Sequence, residues 1–455
     1  MSMLETIIAS QREYFKAHKA LDVKTRIAYL KKLKAAIQTD EAEICDALKA
    51  DLGKSANESY MAEIGMVLED LGYHIKHLKK WVKPKRRRSP LAQFPSKSYI
   101  LPSPRGNVLI ISPWNYPFLL SMQPLVGAIA AGNTVVLKPS RSSAATSAVM
   151  TRIIEQVFPP ELAVSVYGDD QINAEVLTYK FDYIFFTGGK DVGQKVYEAA
   201  SKFLTPVTLE LGGKSPVVVD STAKIALAAK RIVFGKFLNV GQTCVAPDYV
   251  IAHTSIADKL VENIKAYINK LYPDALGNDD YGKIINTRHY ERVKGLISDN
   301  VACGGNFDDA TRKIEPTVLY PATLDDAAMK EEIFGPVLPV LTYSTDEELA
   351  EIIDKNPQPL AFYLFTSKRK AEKTLLPRTA FGGGCVNDVV IHLASTQLPF
   401  GGVGGSGMGS YHGKKSFETF SHFKSVLKKS NVIDLPFRYT PYTKGKDKLI
   451  RFFLK

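Results

Sequence analysis

From Gly106 onward the chain alternates short β-branched runs with longer stretches of helical apolar spacing. That alternation, joined by short linkers, restricts it to a largely parallel, helix-covered sheet. Strands are expected at 108–111, 134–137, 164–166 and 183–186, and helices at 119–131, 142–157 and 191–201. In such sheets ligands bind at the carboxyl ends of the strands. A second α/β stretch runs from about 207 to 386, opening with Val207-Thr208-Leu209 and Val217-Val218-Val219 before a helix over 225–237. It is expected to form a separate lobe.

Residues 3–80 read as helices. Ile27, Leu30, Leu33, Ala36 and Ile37 carry the helical period, and no glycine interrupts residues 1–52. Pro84, Pro90, Pro95, Pro102 and Pro104 then surround Ser98-Tyr99-Ile100-Leu101, which predicts an extended arm of the kind used in subunit contacts. At 455 residues the chain exceeds a single core, so two to four domains are expected.

No basic leader with an apolar run, and no long uninterrupted apolar segment, is present, so the chain reads as cytoplasmic with no integral membrane anchor. Cys45, Cys244, Cys303 and Cys385 are scattered and form no Cys-x-x-Cys pair, which speaks against a disulfide framework or a structural zinc site. His74 and His77 share a helix face without a carboxylate or thiolate partner, and no metal is expected. The net charge is +12, part of it in Lys83-Pro84-Lys85-Arg86-Arg87-Arg88. No helix-turn-helix, zinc module or aromatic-interleaved groove accompanies that run. It therefore reads as a solvated face or an anionic-ligand field, with no nucleic acid as partner.

Several residues stand where chemistry could be done. Gly241-Gln242-Thr243-Cys244 puts a thiol in a polar loop, although most free cysteines are small core residues. Glu210 lies between a strand and Gly212-Gly213, where the backbone can turn sharply; alone it could equally cap a helix or face solvent. Asn115, in Ser112-Pro113-Trp114-Asn115-Tyr116-Pro117-Phe118, follows the first α/β strand and is either a turn residue or an oxyanion donor. Lys138 ends the next strand, as a snorkelling lysine or a nucleotide contact. Phe186-Thr187-Gly188-Gly189-Lys190-Asp191-Val192-Gly193 forms a strand-turn-helix suited to a pyrophosphate. Gly402-x-Gly404-x-x-Gly407 fits the dinucleotide fingerprint but lacks its strand-helix context.

Taken in order, these segments resemble the aldehyde dehydrogenase superfamily over about residues 5–440. The motifs are Pro113-Trp114-Asn115-Tyr116-Pro117, Leu137-Lys138-Pro139-Ser140, Phe186-Thr187-Gly188-Gly189, Glu210-Leu211-Gly212-Gly213-Lys214, Gly241-Gln242-Thr243-Cys244 and Glu331-Glu332-Ile333-Phe334-Gly335-Pro336. The end motif Gly407-Met408-Gly409-Ser410-Tyr411-His412-Gly413 resembles the class 3 branch of fatty and aromatic aldehyde enzymes, which implies a homodimer.

The resemblance implies an α/β aldehyde dehydrogenase-like fold. A Rossmann-type coenzyme domain would span 1–80 and 105–209, and an α/β catalytic domain 210–387. A small β bridging domain would take 81–104 and 388–425, leaving a tail at 426–455. It also implies oxidation of medium- or long-chain aliphatic or aromatic aldehydes to acids with NAD or NADP. Cys244 would be the nucleophile, Glu210 the water-activating base and Asn115 an oxyanion donor. Coenzyme contacts would come from Trp114, Lys138, Ser140, Arg141, Thr187, Gly188, Gly193, Leu211, Gly212, Glu332 and Phe334.

At Arg141, three residues beyond the matching lysine, many relatives place a Glu that repels a 2'-phosphate. A guanidinium there pairs with phosphate, so NADP is expected to be accepted and even preferred. The basic and apolar tail from Lys446 to Lys455 is expected either to border the substrate tunnel or to touch a membrane peripherally, with a docked terminal helix as the plain alternative. Rival readings are a semialdehyde-specific or CoA-acylating enzyme on the same fold, and more remotely a non-catalytic structural protein.

Overall fold

The structure, a computed structural model, describes residues 2–20, 22–168 and 170–454; Lys455, the last residue of the tail, lies outside them. Its first sheet has six strands in the order Gly407–Met408, Val207–Glu210, Tyr183–Thr187, Asn107–Ile111, Thr134–Lys138 and Ala163–Ser165. All neighbours are parallel except the Gly407–Met408 pair at the edge. The strands Thr134–Lys138 and Tyr183–Thr187 are buried throughout, as crossover helices on both faces require. One of those helices, Leu119–Ala131, is buried at every position, which its all-round apolar sequence dictates.

The strand Val207–Glu210 does not open the second lobe as its sequence position suggested. It pairs in parallel with Tyr183–Thr187 in the first sheet. A β-branched run specifies a strand but not the sheet that takes it. The next strand, Pro216–Val219, enters the second sheet after only the intervening Leu211 to Ser215. The 210–213 turn therefore crosses the seam between the two sheets.

The second sheet has seven strands in the order Val301–Cys303, Thr317–Leu319, Val337–Tyr343, Tyr249–His253, Pro216–Val219, Ala361–Phe365 and Gly383–Val386. Only its first pair is antiparallel. The proline-rich arm forms an antiparallel ribbon, Lys85–Arg87 on Ser96–Pro104, and the late strand Ser421–Lys429 completes it. That strand runs beyond residue 425, where the bridging segment was expected to end.

The N-terminal part is helical, with Met3–Lys16, Val23–Thr39, Glu41–Leu52 and Gly65–Trp81; a single π turn, Tyr60–Ile64, precedes the last of these. Leu30, Leu33 and Ile37 are fully buried, each contributing roughly 1.5–3 kcal/mol of apolar burial. His74 bonds back to Asp70, its Nδ1 lying 2.9 Å from the backbone oxygen and 3.2 Å from Oδ1. No helix among the described residues is long and apolar enough to cross a membrane.

Candidate active site

The thiol loop begins where helix Ile225–Phe237 stops. Asn239, Val240 and Gly241 take left-handed conformations in succession, with φ of 51°, 56° and 73°. A β-branched valine there is strained, so the surroundings must hold it. Glu58 Oε1 accepts the Asn239 backbone N–H at 2.9 Å, and Asn239 Nδ2 donates to the Asn115 carbonyl at 2.7 Å. Gly241 allows close packing, since a Cβ would lie 2.3 Å from the Gly335 carbonyl oxygen. Cys244 follows, half-buried on the wall of a cavity of about 540 Å³. Burial, and then the carboxylates of Glu332 and Glu210, push its thiol up to about 12. The resting thiol is therefore protonated at neutral pH and needs a base before it can attack.

Glu210 ends the strand Val207–Glu210 and faces the same cavity, 2% exposed. Neither carboxylate oxygen has a hydrogen-bond partner among the described residues. Burial alone raises its pKa well above the ordinary carboxylate range. A carboxyl so placed binds a proton far more readily than one in water.

Asn115 lies in the loop after strand Asn107–Ile111, and its Nδ2 donates to the Gln242 carbonyl at 3.0 Å. Tyr116 shares a 2.7 Å hydrogen bond with the Thr243 hydroxyl. The loop is thus tied to the two residues preceding Cys244. An amide NH2 has two donors, so the Gln242 bond uses one and leaves a second on a side chain that lines the cavity.

Thr187, Gly188, Leu211, Gly212, Glu332, Phe334 and Trp114 line the same cavity. Thr187 Oγ1 is buried without a partner among the described residues. Helix Lys190–Ser201 starts at Gly189 and presents its first-turn N–H groups, a fit for an anionic phosphate. Burial raises Glu332 to about 8, with Asp248 adding to the effect. Asp248 pairs with Lys214 at 2.5 Å and accepts the Ile333 N–H at 3.0 Å, while Lys214 donates to the Ala328 and Glu331 carbonyls. That buried pair fixes the 331–334 loop, in which Phe334 has a φ of 48° and packs edge-on against Trp114 at 5.4 Å.

Four of the expected coenzyme contacts do not line the cavity. Gly193 seats its helix against Leu211, where a Cβ would lie 2.6 Å from Cδ2. Lys138, Ser140 and Arg141 follow the neighbouring strand on the same carboxyl edge, and the Lys138 carbonyl accepts the Ser112 N–H at 3.1 Å. Lys138 is buried and donates to the Pro139 carbonyl; Ser140 Oγ accepts the Ser142 N–H; Arg141 is exposed, its carbonyl accepting from Tyr167. They lie on that edge, outside the cavity.

The cavity wall also includes residues that the sequence did not single out, among them Met61, Leu120, Phe234, Ile391, Phe400 and Tyr411. Arg292 joins them beside the 331–334 loop, donating to the Glu332 and Ile333 carbonyls. No local pattern marks them, because they come from separate segments and share only their three-dimensional position. None of the tail's described residues lines this cavity. Helix Lys444–Phe453 has no buried residue and lies by Leu91–Gln93 and Pro436–Arg438, so it does not border a tunnel within its own chain.

The family model described as aldehyde dehydrogenase family matches residues 2–426. The chain is 45% identical to the 4,4'-diaponeurosporen-aldehyde dehydrogenase of Staphylococcus aureus, with 100% of each chain covered. It is 44% identical to the dimeric NADP-preferring aldehyde dehydrogenase of Rattus norvegicus, over 94% of this chain and 95% of that one. A solved structure of Staphylococcus aureus AldH in its substrate-bound state superposes with a TM-score of 0.98 at 45% identity, covering 100% of both chains.

Proposed function

Because the chain belongs to the aldehyde dehydrogenase family and oxidises aldehydes to acids with NAD or NADP, we propose that Cys244, Glu210 and Asn115 carry its chemistry. The observation behind this is their convergence on one largely apolar cavity. Once a base takes its proton, the Cys244 sulfur attacks the aldehyde carbon, and the Asn115 amide holds the oxygen as it becomes negative. Nicotinamide, when bound, would supply the acceptor for the hydride that leaves the Cys244 thiohemiacetal as it becomes a thioester. Glu210 then takes a proton from water as that water attacks the thioester carbon, releasing the acid and the thiolate.

The residues fit such a coenzyme. Gly188 and Gly189 open a helix N-terminus for the pyrophosphate, Thr187, whose hydroxyl has no partner among the described residues, lines the cavity, and Glu332 lies over Gly212 where it can accept from a ribose hydroxyl. Lys138 and Ser140 would hold the adenosine half from the neighbouring strand. We assign the coenzyme domain to 1–80 and 105–210, the catalytic domain to 211–387, and bridging to 81–104 and 388–429, so that strands Val207–Glu210 and Ser421–Lys429 each stay whole.

The substrate class we propose is medium- or long-chain aliphatic, or aromatic, aldehydes. Met61, Leu120, Phe234 and Phe400 give the cavity wall little that would pair with a polar chain. One relative is named for 4,4'-diaponeurosporen-aldehyde, and we take that name as support for this class. The test is kcat/KM across a series from propanal to hexadecanal, with benzaldehyde. A rise with chain length supports the reading, and a preference for propanal opposes it. A homodimer accords with the exposed sheet edges at Gly383–Val386 and Ser421–Lys429, and the free thiols of all four cysteines accord with a cytoplasmic setting.

A further inference from the structure

Behind the Asn115 loop lie two buried ions that the chemistry above does not use. Lys54 and Glu63 are both fully buried, with Nζ 2.5 Å from Oε1. Lys54 stands just past helix Glu41–Leu52, and Glu63 lies in the π turn Tyr60–Ile64, a feature that often marks functional sites. Withdrawing two charges from water is costly, and a packed apolar pair is frequently as stable, so the pair's remaining contacts are informative.

Those contacts grip one short segment. Lys54 Nζ donates to the Asn115 carbonyl at 3.2 Å and lies 4.0 Å from the centre of the Tyr116 ring. The other Glu63 oxygen, Oε2, accepts the backbone N–H groups of Phe118 at 2.9 Å and Leu119 at 3.1 Å. The pair therefore holds residues 115–119 at both ends. From that segment, the Asn115 amide bonds the Gln242 carbonyl and the Tyr116 hydroxyl bonds Thr243, the two residues before the thiol. Glu58, one turn earlier, holds the left-handed Asn239.

We propose that Lys54 and Glu63 are positioning residues for thiol attack and thioester hydrolysis, clamping residues 115–119 so that the Asn115 amide is held in register with Cys244. The proposal rests on the oxyanion role given to Asn115. The clamp acts on the transition state through Asn115, and its hydrogen bonds to described residues do not include Glu332, Thr187 or the helix at Gly189.

The test is a mutant cycle in the full-length enzyme. Lys54→Met with Glu63→Gln removes both charges together while keeping an acceptor for the Phe118 and Leu119 amides. Asn115→Ala should lower kcat on the order of 100-fold. The pair variant should lower kcat roughly 10- to 100-fold, as small misplacements of reacting groups do. It should leave KM and the Kd of reduced coenzyme, read by fluorescence, within about twofold of wild type. In the Asn115→Ala background the pair change should cost less than about twofold, since the residue it positions is gone.

Multiplicative losses in that background, or an undiminished kcat in the pair variant while Asn115→Ala is impaired, would overturn the proposal. A normal kcat in Asn115→Ala would instead overturn the oxyanion reading beneath it. If the pair variant does not fold, the isosteric Glu63→Gln enters the same cycle. A kcat loss that vanishes without Asn115 supports the clamp, and a persistent or absent loss refutes it.

Discussion

Glu332 lies so close over Gly212 that a Cβ added to the glycine would sit 2.0 Å from the Glu332 Oε2 atom. Gly212 comes from the turn crossing between the two sheets, and Glu332 from the loop fixed by Lys214 and Asp248. The missing side chain leaves room there for the end of the Glu332 side chain.

Replacing Gly212 with Ala should therefore displace the Glu332 carboxylate and weaken coenzyme binding roughly tenfold, equivalent to about 1.4 kcal/mol. Fluorescence titration with reduced coenzyme measures this directly. An unchanged Kd would show that Glu332 does not contact the coenzyme from this position.

Cys244→Ser should lower turnover by at least about 10³-fold, because the hydroxyl is a far weaker nucleophile than the thiolate. Glu210→Gln should behave differently. Rapid mixing should still show a burst of reduced coenzyme, while steady-state turnover falls roughly 10²- to 10⁴-fold as thioester hydrolysis loses its base. A Glu210→Gln enzyme that lacks the burst would move Glu210 into the first half-reaction.

Titration of the buried carboxyls gives a prediction with a definite sign. A base works only when deprotonated, and burial raises Glu210, so the acid limb of the kcat profile should lie well above the ordinary carboxylate range and disappear in Glu210→Gln. Stability should respond as well. A carboxyl whose folded pKa is raised holds its proton more tightly in the folded chain, so its stabilising contribution is lost as pH rises through the folded value. For Glu332 the window runs from the ordinary 4.5 to about 8. Tm of Glu332→Gln relative to wild type should accordingly increase across that window, and a flat difference would mean that the carboxyl titrates normally.

Arg141, exposed beyond the carboxyl end of strand Thr134–Lys138, is the residue we propose for a 2'-phosphate. We expect kcat/KM to favour NADP, and Arg141→Glu to lower the NADP value roughly tenfold or more while sparing NAD, the scale of one charge-assisted contact. Parallel kinetics with both coenzymes decide this. Equal losses for the two would place Arg141 outside phosphate recognition.

Much of the fold was readable because local chemistry and tertiary structure agree. The bounds of helices Leu119–Ala131 and Ile225–Phe237 match their apolar spacing, and the proline-rich arm is the extended strand Ser96–Pro104. Strand Val207–Glu210 joins the first sheet although its residues open the second α/β stretch, for an equally physical reason. Backbone pairing across a sheet is non-local, so a run such as Val207-Thr208-Leu209 carries no mark of its partner.

The sequence by itself determined the alternating α/β architecture and the family, and it pointed to Cys244, Glu210 and Asn115 as candidates, because strand and helix periods and turn chemistry are written in neighbouring residues. Tertiary structure alone decided the rest. The Lys54–Glu63 pair joins ions nine positions apart that look in sequence like any exposed pair, and only the packing around them removes water and directs them onto Asn115. Glu210 shows the same division. Its place after a strand is local information, whereas its raised pKa comes from burial by segments distant in the chain.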